Sequence, residues 1–546
     1  MLHGQTALFS VAALIVLPFF TYYVTTLLFY RRVRSNECKK TPPTIPFYVP
    51  GVFHAFSLAT SGPQEYIAQL MKDYGDFVPF LIKAGPQPFL IVRDPVHVKK
   101  ALTASQHRPI SIAHVEMLDK VFAISPSVLN KYTGKGASEA EKPALENAYV
   151  ALTQKYLAGE SLSALAESYI SILSDNLHNK MFQAVTWTLI ENSWEFFRQV
   201  ITRCILQSLL GTDVFKQYPG IIRDYWTFAE AIDGFLPGMP RYWVPSAANQ
   251  VRERLLRGIE KWLKANHSGS DFARLEESDP VLDNLKGAKF IQERDHVLAN
   301  AEGFDLTSRA AEILSVIHEA NSTLVSCTLW TSLEVMRREQ LAKQLATSIT
   351  RYSPSQGATW NIYDLTNIPI MDSLLAESFR LRTATTVAHI DYQSLQLDEH
   401  WTVPRKTPAI LLSQDVALNT KAWAESRPRT VEKSLDTYWA ERFLVPSRAA
   451  SKANQRGQRN DVGGTAFSIE GLEHLNIGCT QRYLLGHDYF RTMHAATLAI
   501  LFNEFELQLC DPELFDELLP PVRGVAFGIL KPIEQVEVRI RKRKST

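Results

Sequence analysis

The residues best placed by type and spacing to do chemistry lie near the C-terminus, in "HLNIGCTQRYLLGHDYF", His474 to Phe490. Arg482 and Gly486 form an Arg-x-x-x-Gly frame ahead of an apolar helical run, "TMHAATLAILFNEFEL". That frame suits a loop that presents one metal-binding side chain before a helix. The position where the ligand should stand is Leu484, which has no lone pair to offer. Cys479 lies five residues upstream, up to ~17 Å away along an extended chain, and would reach the position only if the whole loop slipped in register. His487 opens the following helix, where a surface histidine is the simpler reading. A second polar group interrupts an apolar stretch in "SVIHEANSTLVS": His318, Glu319, Asn321, Ser322 and Thr323. A third is the pair Glu377 and Arg380 in "LLAESFRLR", spaced i to i+3 so that both share one helix face. Its flanks are apolar, which points to burial, and "TYWAERFLVPS" supplies another arginine, Arg442.

The elements that must position these groups are mostly helical. "SALAESYISILSDNLHNKMF", "EFFRQVITRCILQSLLG" and "NQVRERLLRGIEKWLKANH" repeat apolar residues at three- and four-residue intervals. The segment from about Ser308 to Ser348 is apolar or small on nearly all sides in its middle, which predicts one long helix threading the core. "DFVPFLIKAGPQPFLIVRD" predicts a β-hairpin, "DYQSLQLDEHWTVPRKTPAILLS" further strands and "VEVRIRKRK" a last one. The fold class expected is mainly α with small β-sheets, an α+β arrangement.

The chain has 546 residues, 46% of them hydrophobic, and a formal net charge of +1, so no global charge favours a nucleic-acid partner. Its five cysteines are odd in number and scattered, with no CxxC pair, which suits reduced thiols better than a disulfide framework or a structural zinc. Thr6 to Tyr30 is a run of 25 residues without a charge, followed by "RRVR" and then by "TPPTIPFYVPG". This predicts a transmembrane anchor over residues 1–30 and a basic, proline-rich hinge over 31–51. The body, residues 52–546, would face the cytosol by the positive-inside rule.

Glu377, Arg380 and Arg442 resemble the Glu-x-x-Arg and Pro-Glu-Arg-Phe elements of the cytochrome P-450 superfamily, in which a Glu-Arg-Arg triad locks the meander loop beneath the heme. The likeness covers the anchor, hinge, hairpin, long central helix, triad, C-terminal loop and final strand. "FSIEGLE", "HEANST" and "RIRKRK" are similar to fungal members. It implies a cytochrome P-450-like fold on the endoplasmic reticulum membrane, a lipophilic terpenoid or polyketide substrate of secondary metabolism, and a reductase or other pathway enzymes as partners.

The resemblance also marks where this chain departs. On the signature Phe-x-x-Gly-x-Arg-x-Cys-x-Gly, Arg482 takes the propionate-pairing arginine and Gly486 the last glycine, while Ile477, Thr480 and Leu484 replace the Phe, first Gly and axial cysteine. That cysteine is the thiolate that pushes electron density onto iron for O–O cleavage, which leucine cannot do. No carboxylate stands at the acid position of the central helix, where Ser322 falls beside Thr323; an alternative alignment places Asn321 at the alcohol. The Trp-x-x-x-Arg of the propionate-binding helix is absent between Met117 and Tyr169. Three readings stay open: a fold repurposed for a non-oxidative cyclisation, rearrangement or pericyclic step; a heme-dependent monooxygenase or isomerase with Cys479 as a displaced ligand; and a catalytically inactive membrane scaffold. Whether heme is a cofactor is left open with them. Asn321, Ser322, Thr323 and His389, the last in the pocket-lining "TATTVAHI", are the candidate catalytic groups.

Overall fold

The computed structural model describes residues 2–544 apart from 77–78, 106–111, 134–141, 179–181, 236–245, 270–271, 273–275, 277, 354–358, 391–393, 406, 448–463, 481–483 and 521–527. For 2–15, 112–113, 133, 142–144, 146, 233–234, 389 and 480 it describes the backbone alone. The principal helices are α1 Leu2–Arg34, α2 Lys142–Tyr156, α3 Gly159–His178, α4 Ser193–Leu210, α5 Ile221–Glu230, α6 Ser246–Asn266, α7 Lys289–Asn300, α8 Leu306–Arg337, α9 Glu339–Thr350, α10 Pro369–Arg382, α11 Ile477–Thr480 and α12 His487–Glu504. The strands of the two larger sheets are β1 Phe80–Ala84, β2 Gln87–Val92, β3 Thr188–Ile190, β4 Thr383–Ile390, β5 Thr407–Leu412, β6 Phe505–Leu509, β7 Gly528–Ile529 and β8 Val538–Lys542. One sheet has the order β1-β2-β5-β4-β7 and a second the order β6-β8-β3. This is the helix-rich fold with small sheets that the apolar spacing predicts.

The expected hairpin forms, β1 pairing antiparallel with β2 through Leu81 and Leu90. β5, more than 300 positions later in the chain, extends it in parallel with Leu90 opposite Ala409, and β4 then pairs antiparallel with β5. The proline hinge is stitched to this sheet: Ile45 N–H donates to Leu81 C=O at 2.9 Å, and Leu81 N–H donates to Pro43 C=O at 2.8 Å. The N-terminal apolar run lies on α1, whose Val16, Leu17, Phe19, Phe20 and Tyr23 are exposed by 61–67%. Among the described residues no helix is long and apolar enough to cross a membrane. Residues 2–15, which supply much of the apolar run, are among those described by backbone alone.

α8, 32 residues long, packs against α4, α6, α10 and α12. A helix that is apolar on every side has no face to give to water, and so it occupies the centre. Asp305 caps its N-terminus by accepting the Ser308 N–H at 2.8 Å. The single helix expected to Ser348 is instead two. At Arg338 the backbone turns extended (φ −119°, ψ 95°), and α9 begins at Glu339. The break is fixed by the Arg338 side chain, which returns to the Glu334 carboxylate and donates to Tyr438 C=O at 3.2 Å.

Glu377, Arg380 and Arg442 meet in the interior, each 0–1% exposed. Arg380 grips the carboxylate through Nε at 2.7 Å and Nη2 at 2.9 Å, and Arg442 Nε reaches Oε1 at 3.0 Å. The Trp439 N–H donates to the same oxygen at 2.8 Å. The remaining arginine donors go to carbonyls, Arg380 to Ala417 and Leu435, Arg442 to Thr430, Lys433, Ser434 and Thr437. One carboxylate thereby ties α10 to the loop between residues 427 and 443. Burial by itself would raise the Glu377 carboxyl, but Arg380 and Arg442 hold it below its ordinary value. Its contribution is therefore present above the unfolded carboxyl pKa and lost as pH falls through the lower folded one. Arg380→Ala strands a buried charge, so it should lower stability by ~3–5 kcal/mol. Denaturant unfolding at neutral pH checks this, and an unchanged midpoint would refute the role given to the triad.

Candidate functional site

Between Ala310 and Val335 only four positions of α8 are not buried: His318, Glu319, Ser322 and Thr323. Positions i, i+1, i+4 and i+5 lie on one helix face, so that face alone borders unfilled space inside the body. Facing it is the loop leading into α12. The Leu485 N–H donates to Glu319 Oε1 at 2.9 Å, and the Leu484 amide also favours the ionised carboxylate. Thr153, on α2, holds the loop from another side by donating its hydroxyl to Leu484 C=O at 3.3 Å. Gly486 follows with φ +81°, where a side chain is strained, and caps the start of α12. The Leu484 side chain packs against the main apolar core.

Glu319 differs from the other acids of the interior. Glu312 pairs with Arg294 at 2.7 Å, Glu334 with Arg382 at 2.9 Å, and Glu377 with two arginines. Glu319 has no ion-pair partner among the described residues. Burial pushes its carboxyl up to about 7, against the pull of the Leu485 and Leu484 amides and of the more distant Arg294. Tyr489, on α12, lies near it with a fully buried hydroxyl that has no hydrogen-bond partner among the described residues; burial, with the Glu319 charge behind it, holds that phenol protonated. His318 is kept neutral, pushed down to about 4 by burial.

Two turns before Glu319 on the same face, Glu312 is enclosed in a polar cluster. Arg294 donates to one carboxylate oxygen and Tyr132 to the other; the Tyr132 and Tyr149 hydroxyls are 3.1 Å apart. The Arg294 guanidinium lies 3.8 Å from the Tyr149 ring centroid, a cation–π contact. Sequence reasoning missed Arg294, Glu312, Tyr132, Tyr149 and Tyr489, and weighed Glu319 without placing it. The one signal within reach was the set of acids, Glu312, Glu319 and Glu334, in an otherwise apolar helix interior.

The candidates named from the sequence take different places. Ser322 and Thr323 share the open face with Glu319. Asn321 is fully buried on the packed side, its amide donating to Ile317 C=O at 2.8 Å. His389 lies on β4 with its backbone opposite Pro408, and its side chain lies outside the described residues, as does all of Arg482. Cys479 is buried on α11 in the apolar cluster that contains Leu375 and Phe379, and burial pushes its thiol up to about 12. Beside it runs a cleft of ≈ 420 Å³ that also touches Asp372, Arg491 and the exposed His487.

The cytochrome P450 family pattern matches residues 42–433. The chain belongs to the cytochrome P450 family. Cytochrome P450 monooxygenase fsoE of Humicola fuscoatra is 26% identical over 92% of this chain and 88% of its own length. Cytochrome P450 monooxygenase efuG of Hormonema carpetanum is 22% identical over 99% and 98%. The rabbit Cytochrome P450 7A1 (Oryctolagus cuniculus) is 18% identical over 71% and 73%. The matched span of this P450 includes the central helix and the Glu377 and Arg380 of the triad, and ends ahead of Arg442 and of the loop carrying Arg482, Leu484 and Gly486.

The raised Glu319 carboxyl gives this P450 a defined pH response. A carboxyl near 4.5 when unfolded and about 7 when folded binds its proton more tightly in the folded state. Its stabilisation is complete below 4.5 and is lost as pH rises to 7. Glu319→Gln keeps an oxygen for the Leu485 N–H but cannot ionise. Relative to the wild type it should gain stability between pH 5 and 8, by up to ~3 kcal/mol at pH 8. Thermal melts of both proteins across that range test the assignment, and parallel curves would refute it.

Proposed function

We propose that this P450 acts on a lipophilic small molecule in fungal secondary metabolism, a terpenoid or polyketide, by a non-oxidative cyclisation, rearrangement or pericyclic step. The observation that carries the reading is the direct bond between Glu319 and the Leu485 N–H. The family resemblance puts an iron porphyrin between the central helix, which serves bound dioxygen, and the loop, which supplies the thiolate. Here the Glu319 side chain reaches across to the Leu485 amide, and the side chain offered at the ligand position is a hydrocarbon. A leucine at that position does not fit heme ligation, which supports a reaction that needs no iron. Shape and a few polar groups suffice for such a reaction, since holding a flexible substrate near its reactive geometry can lower a barrier by ~7–11 kcal/mol in favourable cases.

A second reading, heme-dependent monooxygenation with a displaced ligand, is supported by two relatives named as monooxygenases, which align over nearly the whole length of this chain. On that reading Cys479 supplies the thiolate, and a reductase docks. In either case we place the body on the cytosolic face of the endoplasmic reticulum, with α1 as its anchor. The charge-free run Thr6 to Tyr30, the basic residues after it and the exposed apolar side chains of α1 support this placement.

The deciding measurement is heme content with a reduced carbon-monoxide difference spectrum, on full-length protein expressed with heme precursor and purified in detergent. The first reading expects folded protein with less than a tenth of an equivalent of heme and no thiolate band. Near-stoichiometric heme with that band would replace it by the second.

A further inference from the structure

We propose that Glu319 is a catalytic acid, and that the substrate is an apolar polyene epoxide bound against the open face of α8 formed by His318, Glu319, Ser322 and Thr323. This rests on the non-oxidative reading and deepens it. Four observations converge on one carboxyl. Between Ala310 and Val335 it stands on the one face of the central helix that is not fully buried. It has no ion-pair partner among the described residues, whereas Glu312, Glu334 and Glu377 each hold an arginine. Its Oε1 is steadied by the Leu485 N–H, so the carboxyl is oriented without being neutralised. The groups that face it from the neighbouring elements are Arg294 on α7, too distant for an ion pair, and the phenol Tyr489 on α12. An acid in such a place keeps its proton near neutral pH, with burial as the cause.

The chemistry needs no oxidant. The Glu319 O–H bond breaks and an O–H bond forms on the epoxide oxygen while one epoxide C–O bond opens. The electron-poor carbon left behind takes the π pair of an alkene in the same molecule, forming a ring C–C bond. A proton lost from the carbon next to the final cation returns to the Glu319 carboxylate. The product is a cyclic alcohol isomeric with the substrate, and the acid is regenerated. Ser322 and Thr323 present hydroxyls on the same face, where they can orient the epoxide oxygen. The reaction class that supplies such a substrate is alkene epoxidation.

Dicyclohexylcarbodiimide, an apolar reagent, tests the assignment without knowledge of the natural substrate. It adds to a protonated carboxyl that an apolar molecule can reach, the proton going to nitrogen and the carboxylate oxygen to the central carbon. On folded full-length protein, peptide mapping should find the adduct at Glu319 at pH 6, with at least a tenfold slower rate at pH 8.5. Glu312, Glu334 and Glu377 should stay unmodified, and Glu319→Gln should remove the label. Glu319 left unlabelled at pH 6 in folded protein, or labelled at the same rate at both pH values, overturns the proposal. Heme content of the same preparation separates the two ideas. Unlabelled Glu319 in heme-free protein defeats only the acid, whereas stoichiometric heme defeats the non-oxidative reading beneath it.

Discussion

A carboxylate taken out of water must be given a cation, and this fold is organised by where it supplies one. Asp295 takes Arg309, Glu312 takes Arg294, Glu334 takes Arg382, and Glu377 takes Arg380 and Arg442. Each of these links except Arg380 to Glu377 joins segments that the backbone does not hold together: α7 to α8, α8 to the end of α10, α10 to the loop beyond β5. Removing any one partner leaves a buried charge rather than a lost contact, so the links resist change one at a time. They fix the central helix at two levels along its length, near Glu312 and near Glu334. Glu319 falls between those levels, on a helix already held in place, and its own state is set by amides and burial rather than by a guanidinium.

Much of the framework was legible in the chain because it depends on local period and composition. The hairpin around Gly85, the helices with three- and four-residue apolar spacing and the final strand Val538–Lys542 all follow from patterns within a dozen residues. The i to i+3 spacing and apolar flanks of Glu377 and Arg380 gave the burial of that pair, and the resemblance supplied Arg442. The end of α8 was not legible, since the break at Arg338 is decided by contacts with Glu334 and with the carbonyl of Tyr438, a hundred positions away.

The site was less legible than the frame, for a related reason. Spacing says that Glu319 and Thr323 share a face and that Asn321 lies on the other side. It does not say which face meets packed side chains and which meets open space. Aligning the helix to a family pattern put Asn321, Ser322 and Thr323 forward, and left the acid one turn away without a definite place. Glu319 is bonded by the backbone N–H of Leu485 and lies near Tyr489, both more than 160 residues on, and the partners of Glu312 are Tyr132 and Arg294 from two other helices. Only the tertiary structure brings such groups together.

The loop before α12 is seated on the central helix and on α2 by contacts that need no metal. On the proposed reading no metal–ligand bond holds it. Instead Glu319 takes the amide of Leu485, Thr153 takes the carbonyl of Leu484, and the Leu484 side chain joins the apolar core. Each hydrogen bond is worth ~1 kcal/mol net, and together they seat the loop from two sides. A neutral carboxyl satisfies the amide with its carbonyl oxygen and leaves its O–H directed elsewhere. An ionised one binds the amide more strongly and bears the cost of burial without a cation. The two states are balanced near neutral pH because amide donation and desolvation oppose each other at one atom group. The group that joins the loop to the helix is thus also the one whose carboxyl burial raises, and on the proposed reading the contact and the proton it can give have the same origin.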